Sequence, residues 1–201
     1  MGEKQVIITI GREFGSAGHE IAEELAKRFD LRLYDYHLLR EIADEKNVAH
    51  HTLEPYDEVP KKGFGSRTVK GHSNSPQENI AYMQFNHLKK RAGEGRSFIV
   101  VGRCAEEALK EYDCLISIFV LGDMDKKIER IKKLYDITDD KKAKELIRDQ
   151  DKKRKNYHNF FCEGKWGDSR NYDFSINSSK LGVPETIDMI EEYIKKRIEL
   201  M

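Results

Sequence analysis

The chain has 201 residues, enough for one well-buried domain with a small inserted lobe. Lys+Arg and Asp+Glu both number 36, so no excess charge directs it to nucleic acid or to an anionic membrane. Its longest apolar runs, Phe98 to Val101 and Cys114 to Leu121, suit buried strands and are far too short to span a bilayer.

Val6–Ile10 is expected as a first buried strand, β-branched at most positions. It breaks into the glycine-punctuated stretch Gly11-Arg12-Glu13-Phe14-Gly15-Ser16-Ala17-Gly18, which opens directly into a helix with Ile21, Ala22, Leu25, Ala26 and Phe29 at helical spacing. A short second strand, Leu31–Tyr34, ends at Asp35, and helical spacing returns from Tyr36 to Lys46. Residues 47–75 lose all periodicity and read as a long irregular segment, a kind of loop that in compact domains usually carries function. Pro76 opens a helix to Arg91, Ser97–Val101 is a third strand, and a helix is expected from Cys104 to Tyr112. Cys114–Leu121 is the fourth strand, followed by a helix carrying Ile128, Ile131 and Leu134, then a charged helical stretch over 138–159. Tyr172–Asn177 is the fifth strand and Val183–Leu200 a closing amphipathic helix.

Strands alternating with helices predict an α/β fold, a parallel sheet covered on both faces. Ligands in such sheets bind beyond the carboxyl ends of the strands. That edge holds residues 11–18, Asp35, Gly102-Arg103 and Gly122-Asp123. Glycines let backbone N–H groups approach a ligand, and a helix start adds unpaired N–H groups, so the first loop favours phosphate. Two chemistries compete for it. A dinucleotide-binding oxidoreductase would use Asp35 on the ribose, but the glycines read GxxxGxxG rather than GxGxxG, and no tyrosine is followed four residues later by lysine. Phosphoryl transfer instead needs positive groups around the transferring phosphoryl. Arg12, Arg103, Arg148 and Arg154 supply them from three regions of the chain.

The cysteines Cys104, Cys114 and Cys162 lack CxxC spacing, which predicts a reducing, cytoplasmic setting without a disulfide framework or a structural zinc site. No HExxH motif or His–Cys pairing is expected, so no protein metal site is predicted. Met1 to Gln5 leads straight into the first strand without a signal-peptide pattern. Asp35 serves equally as a helix N-cap, and Arg148, Asp151 and Arg154 equally as solvated helix charges.

Five stretches, Ile10–Ala22, Phe98–Ala105, Asp151–Tyr157, Lys165–Asp168 and Tyr172–Gly182, together resemble the cytidylate kinase-like family. The resemblance runs over nearly the whole chain and is weakest over 47–78. It implies the nucleoside-monophosphate kinase fold, a five-stranded parallel sheet with helices on both faces, in a single domain over 1–201. The core would be 1–35, 97–135 and 170–201, with a monophosphate-binding region over 36–96 and a lid over 136–169. It implies ATP and Mg²⁺, and transfer of the γ-phosphoryl to a small nucleotide, CMP or dCMP. By resemblance, Gly11, Arg12, Gly15, Ser16, Ala17, Gly18, His19 and Glu20 bind the ATP phosphates. Asp35, Arg103, Asp151 and Arg154 bind the monophosphate, and Arg12, Arg148 and Arg154 are catalytic. Established cytidylate kinases carry a phosphate-loop lysine where members of this looser family often have arginine and this chain has His19. Arg12, from the other side of the loop, or His19 itself is left to replace it. Glu20 stands where a magnesium ligand is usual, which leaves the metal to phosphates and water. The expected state is a monomer or weak homodimer. A kinase for another small phosphate acceptor, or a nucleotide-binding regulator without turnover, remains open.

Overall fold

The structure is a computed structural model that describes residues 4–46, 68–69, 72–73 and 75–201. Most of the irregular segment expected over 47–75 therefore lies outside the described residues. Five strands form one parallel sheet: β1 (Ile7–Arg12), β2 (Arg32–Tyr34), β5 (Phe98–Val101), β6 (Leu115–Leu121) and β7 (Phe174–Asn177), in spatial order β2-β5-β1-β6-β7. β1 lies at the centre, with Ile7 opposite Phe98 on one side and Leu115 on the other. Two short strands, β3 (Thr68–Val69) and β4 (His72–Ser73), pair antiparallel as a separate ribbon, where the sequence shows no periodicity.

The central strands are apolar at most positions because helices cover both faces, and the strand period of two sorts their side chains. Ile8 and Ile10 of β1 and Ile99 and Val101 of β5 meet Ile21 and Leu25 of α1 (Gly18–Arg28) and Ile187, Ile190 and Ile194 of α8 (Val183–Leu200). Ile7, Phe98 and Val100 point the other way. They meet Leu38 and Ile42 of α2 (Leu38–Lys46), Leu88 and Ala92 of α3 (Pro76–Gly93), and Ala105 and Ala108 of α4 (Ala105–Ala108). The five-stranded parallel α/β sandwich expected from the alternation is the fold observed.

Three boundaries differ with consequence. β1 runs two residues beyond Ile10, because the longer β6 offers Phe119 and Val120 as partners to Gly11 and Arg12. Arg12 is thus the last residue of the central strand rather than part of a floating loop. α4 is a single turn rather than a helix to Tyr112, since the chain turns at Leu109 and the Tyr112 hydroxyl donates back to the Lys89 carbonyl at 3.1 Å. β7 starts at Phe174, after a 3₁₀ turn over Ser169–Asn171 whose first free N–H, that of Arg170, is accepted by Asp168.

After β6 come α5 (Met124–Tyr135) and α6 (Asp140–Phe161), and a short α7 (Ser178–Leu181) follows β7. α6 has 22 residues, a length of about 33 Å. Its first half packs Ala143 and Ile147 on Ile131 of α5 and reaches Phe14, while its last turn packs Tyr157 and Phe161 near Ala81, Phe85 and Cys104. One helix therefore spans from the glycine loop to the far side of the strand-end edge.

Ile118 is fully buried at the centre of β6. Ile118→Ala is expected to lower unfolding stability by about 2–5 kcal/mol, read as a fall in the urea midpoint with an unchanged slope.

Candidate active site

The turn after β1 is shaped by two glycines. Gly15 has φ +84°, and a Cβ there would lie 3.1 Å from Ile131 Cγ1, so both backbone and space select glycine. A Cβ at Gly18 would stand 2.5 Å from Arg12 Cβ, so the loop closes on its own entry strand only without one. Ala17 sits in the left-handed region at φ 66° and opens α1 with no side-chain cap, leaving the first-turn N–H groups facing outward. The Ser16 hydroxyl lies 2.9 Å from the Glu13 carbonyl and 3.0 Å from that of Val120, and Ser178 Oγ donates to the Ser16 carbonyl at 2.8 Å.

Behind the loop lies a buried lysine. Lys127 of α5 has a side chain only 3% exposed, with Nζ 3.0 Å from Glu13 Oε2 and 2.8 Å from Asp151 Oδ2. Asp151 Oδ1 accepts from the Phe14 N–H at 2.6 Å, and Glu13 Oε2 also accepts from the Gly122 N–H at 3.1 Å. Loop, β6 end, α5 and α6 thus converge on one cation between two carboxylates.

In front of the loop opens a cavity of about 680 Å³. Arg12, Arg103, Arg130 and Arg154 line it, together with Gly15, Ala17, Gly18, His19 and Glu20, and an apolar wall of Phe14, Ile131, Leu134 and Tyr135. Arg154 lies over the Phe14 ring at 5.3 Å, and its guanidinium donates to the Arg12 carbonyl at 3.4 Å. Arg130 pairs with Glu20. Arg103 is buried and also borders a second cavity of about 20 Å³, with Cys104, Glu106, Arg154 and His158. The turn that presents it is strained: Gly102, Arg103 and Cys104 have φ of 73°, 59° and 53°. Consecutive non-glycine residues in that region cost about 1–2 kcal/mol each.

His19 does not point freely into the cavity. Its Nε2 lies 2.9 Å from Asp35 Oδ2, its Nδ1 lies 3.7 Å from Glu23, and its ring packs against Tyr36. Burial pushes the Asp35 carboxyl up, but the His37 N–H and His19 outweigh it and hold the group below the usual carboxylate range. Asp35 is therefore at once the His19 partner and the acceptor of the His37 N–H at the head of α2.

The structure brings Gly11, Arg12, Gly15, Ser16, Ala17, Gly18, His19, Glu20, Arg103 and Arg154 around these two cavities or directly beneath them. Asp35 stands one residue behind, through His19, and Asp151 spends its carboxylate on Phe14 and Lys127. Arg148 is exposed on α6 and lines neither cavity. The Gly122-Asp123 corner is consumed internally, with Asp123 accepting from Asn177 at 2.8 Å and pairing with Lys180 at 2.6 Å. Trp166 packs edge-on against Phe119 under the end of α6.

Sequence reasoning passed over Lys127, Arg130 and the apolar wall. Lys127 and Arg130 sit three apart on the helix that follows β6, the one signal that both share a face. It also expected no His–Cys pairing, and this is corrected: His158 and Cys162 stand one turn apart at the end of α6, against Glu106 of α4. Burial works against the His158 proton, but Cys162 and Glu106 carry its pKa up to about 10. The Cys104 contact, with His158, holds the Cys162 thiol below its usual range.

A parallel sheet of order β2-β5-β1-β6-β7, a glycine loop after its central strand and arginines at the same edge define the α/β kinase fold of the P-loop type. The chain belongs to the cytidylate kinase-like family, whose sequence pattern it matches over residues 7–180. Among solved structures it resembles an uncharacterized protein from Eubacterium ventriosum at 40% identity and TM-score 0.76, covering 95% of this chain and 99% of that one. It also resembles shikimate kinase from Bacteroides thetaiotaomicron, at 10% identity, TM-score 0.56 and coverage of 94% and 98%. Shikimate kinase from Acinetobacter baumannii, solved with shikimate, is 12% identical with TM-score 0.56 and coverage of 96% and 95%. These two likenesses are of fold. No curated protein sequence matches significantly. Family and fold support phosphoryl transfer in general, and among the described residues no helix is long and apolar enough to cross a membrane.

Lys127→Met strands two carboxylates behind the loop. A loss of about 3–5 kcal/mol is expected, as when one partner of a buried ion pair is removed. Adding Asp151→Asn should recover part of it, and denaturant titration of both variants measures this.

Proposed function

We propose that this protein transfers the γ-phosphoryl group of ATP to a nucleoside monophosphate, CMP or dCMP. The observation that carries the reading is the convergence of Arg12, Arg103, Arg130 and Arg154 on one cavity in front of the glycine loop. Phosphoryl transfer asks little covalent chemistry of the protein and much positive charge in fixed positions. The uncapped start of α1 and the Gly15–Gly18 turn receive the β- and γ-phosphates of ATP. The apolar wall of Phe14, Ile131, Leu134 and Tyr135 suits the adenine ring. Arg103, presented by its strained turn at the inner end of the cavity, takes the acceptor's phosphate, and Arg154 bridges donor and acceptor. Arg12 supplies charge where a phosphate-loop lysine is usual, and His19, tied to Asp35, contributes one hydrogen bond.

Bound with ATP, Mg²⁺ would supply charge neutralisation on the phosphates. Among the described residues lining the cavity, Glu20 pairs with Arg130 and Glu13 with Lys127, and Glu23 lies 3.7 Å from His19 Nδ1. The metal is then carried by phosphates and water, as small hard cations commonly are in kinase sites. The region over 36–96 would shape the acceptor pocket and the 136–169 segment would cover the phosphates. We take the enzyme to act in a reducing cytoplasm on small nucleotides, as a monomer or weak homodimer.

A coupled assay of ADP release across a panel of monophosphates and of non-nucleotide acceptors tests this. Turnover should be highest with CMP or dCMP. Turnover only with another acceptor would transfer the reading to that substrate, and ATP binding without turnover would make the protein a regulator. Arg103→Ala should raise the acceptor KM by about 10- to 100-fold, the loss of a charged hydrogen bond or two, with ATP affinity unchanged. Arg12→Ala should lower kcat more than His19→Ala, and the reverse order would assign the lysine's role to His19.

A further inference from the structure

We propose that Cys104, Glu106, His158 and Cys162 form a zinc site that joins the turn carrying Arg103 to the helix carrying Arg154. The inference is independent of which acceptor is phosphorylated.

The four residues come from two places in the chain. Cys104 and Glu106 lie on the turn after β5 and the first turn of α4. His158 and Cys162 lie one helical turn apart at the end of α6, on one face. Ligand atoms of Glu106, His158 and Cys162 all stand within 4.8 Å of one another; the Cys104 thiol lies outside that group, against Cys162, and takes the fourth position only after a shift. A four-coordinate zinc with bonds of about 2.0–2.3 Å needs its ligand atoms at separations of this order. The His158 Nε2 to Glu106 Oε1 distance, 2.8 Å, requires only a small opening to admit an ion.

The chemistry of the set is selective. Two sulfurs, an imidazole and a carboxylate suit zinc, whereas magnesium and calcium prefer oxygen alone. His158 and Cys104 are secluded, 5% and 3% exposed, while Glu106 and Cys162 are half-buried. The His158 ring already sits between Glu106, on its Nε2, and Cys162. The charge balances as well. Two thiolates and a carboxylate around a divalent ion leave one negative charge, and Arg103 and Arg154 border the same small cavity of about 20 Å³. The other cluster of this kind, Glu41, Glu45 and His87, faces Arg91, whose guanidinium pairs with Glu45. That cluster already has its cation.

A bond network here gives the strained Gly102–Cys104 turn a rigid support. It also sets the distance between two phosphate-facing arginines that come from different elements. Metal ligation thereby fixes the spacing of donor and acceptor groups without touching either.

The test uses the full chain, purified under reducing conditions. Elemental analysis should find about one zinc per chain. After removal by chelator, titration with Co²⁺ should give thiolate-to-cobalt charge-transfer absorption and the intense ligand-field bands of a tetrahedral site. His158→Ala and Cys162→Ala should abolish these bands, and Glu106→Gln should weaken Co²⁺ binding about 10- to 100-fold. Cys114→Ala, at the far end of β6, should leave them intact. Since a ligand variant can fail to fold, circular dichroism accompanies each, and the wild-type cobalt spectrum stands on its own. Absence of charge-transfer absorption in the wild type overturns the proposal. So does metal retention unchanged in folded Cys162→Ala, or a Cys104–Cys162 disulfide as the state found in the purified chain.

Discussion

The architecture of the sheet edge that carries the glycine loop depends on one cation, the ammonium of Lys127. Removing a lysine from water is costly, and the cost is offset only if its charge is met at close range. Glu13 and Asp151 meet it at 3.0 and 2.8 Å, and each carboxylate also accepts a backbone N–H, from Gly122 and Phe14. The loop is therefore not merely draped over the start of α1. It is held from behind by α5 and α6, and the conformation that turns its N–H groups outward is imposed by charges on its concealed side.

This arrangement reassigns the meaning of the missing loop lysine. In a loop with a lysine, the cation that meets phosphate and the loop that cradles it belong to one segment. Here the lysine is behind the loop and serves its shape, while the positive charge lining the cavity comes from the end of β1, the turn after β5, α5 and α6. His19, at the position of interest, is drawn toward Asp35 and Glu23. Arginines suit such dispersed duty, because a planar fork reaches two oxygens from a distance and holds its charge at any working pH.

Much of this was legible in the sequence, for a physical reason in each case. The strands read cleanly because a doubly covered parallel sheet demands unbroken β-branched runs such as Val6–Ile10. Arg12 and Arg103 read as site residues because the carboxyl edge of a parallel sheet is fixed by topology alone. Arg148 and Arg154 could not be separated by composition, but they lie six residues apart, and at about 100° per residue they leave the helix in different directions. Lys127 was not legible. A lysine in the first turn of an amphipathic helix reads as solvated, and its two partners lie 114 and 24 residues away. The contact of Glu106 and Cys104 with the His158–Cys162 pair was hidden in the same way. Sequence gives the helical spacing of one half and says nothing of the turn that meets it.

The distribution of charge also constrains how the site can close. A lid that swings freely over a nucleotide needs few bonds to the base it covers. α6 is pinned at its middle by Asp151, which holds both the loop and Lys127, and its first half packs apolar residues on α5. Its last turn is pinned again by His158 against Glu106. Arg154 lies between these two anchors, docked on the Arg12 carbonyl and the Phe14 ring. The arginine is thus already positioned by the protein itself, and under the proposed function the electrostatic seat for phosphate would be preorganised rather than assembled by closure. On the same proposal, α6 would then cover the phosphates as a fixed wall rather than as a swinging lid. The spacing of Arg103 and Arg154 would, under that function, be the quantity on which transfer depends.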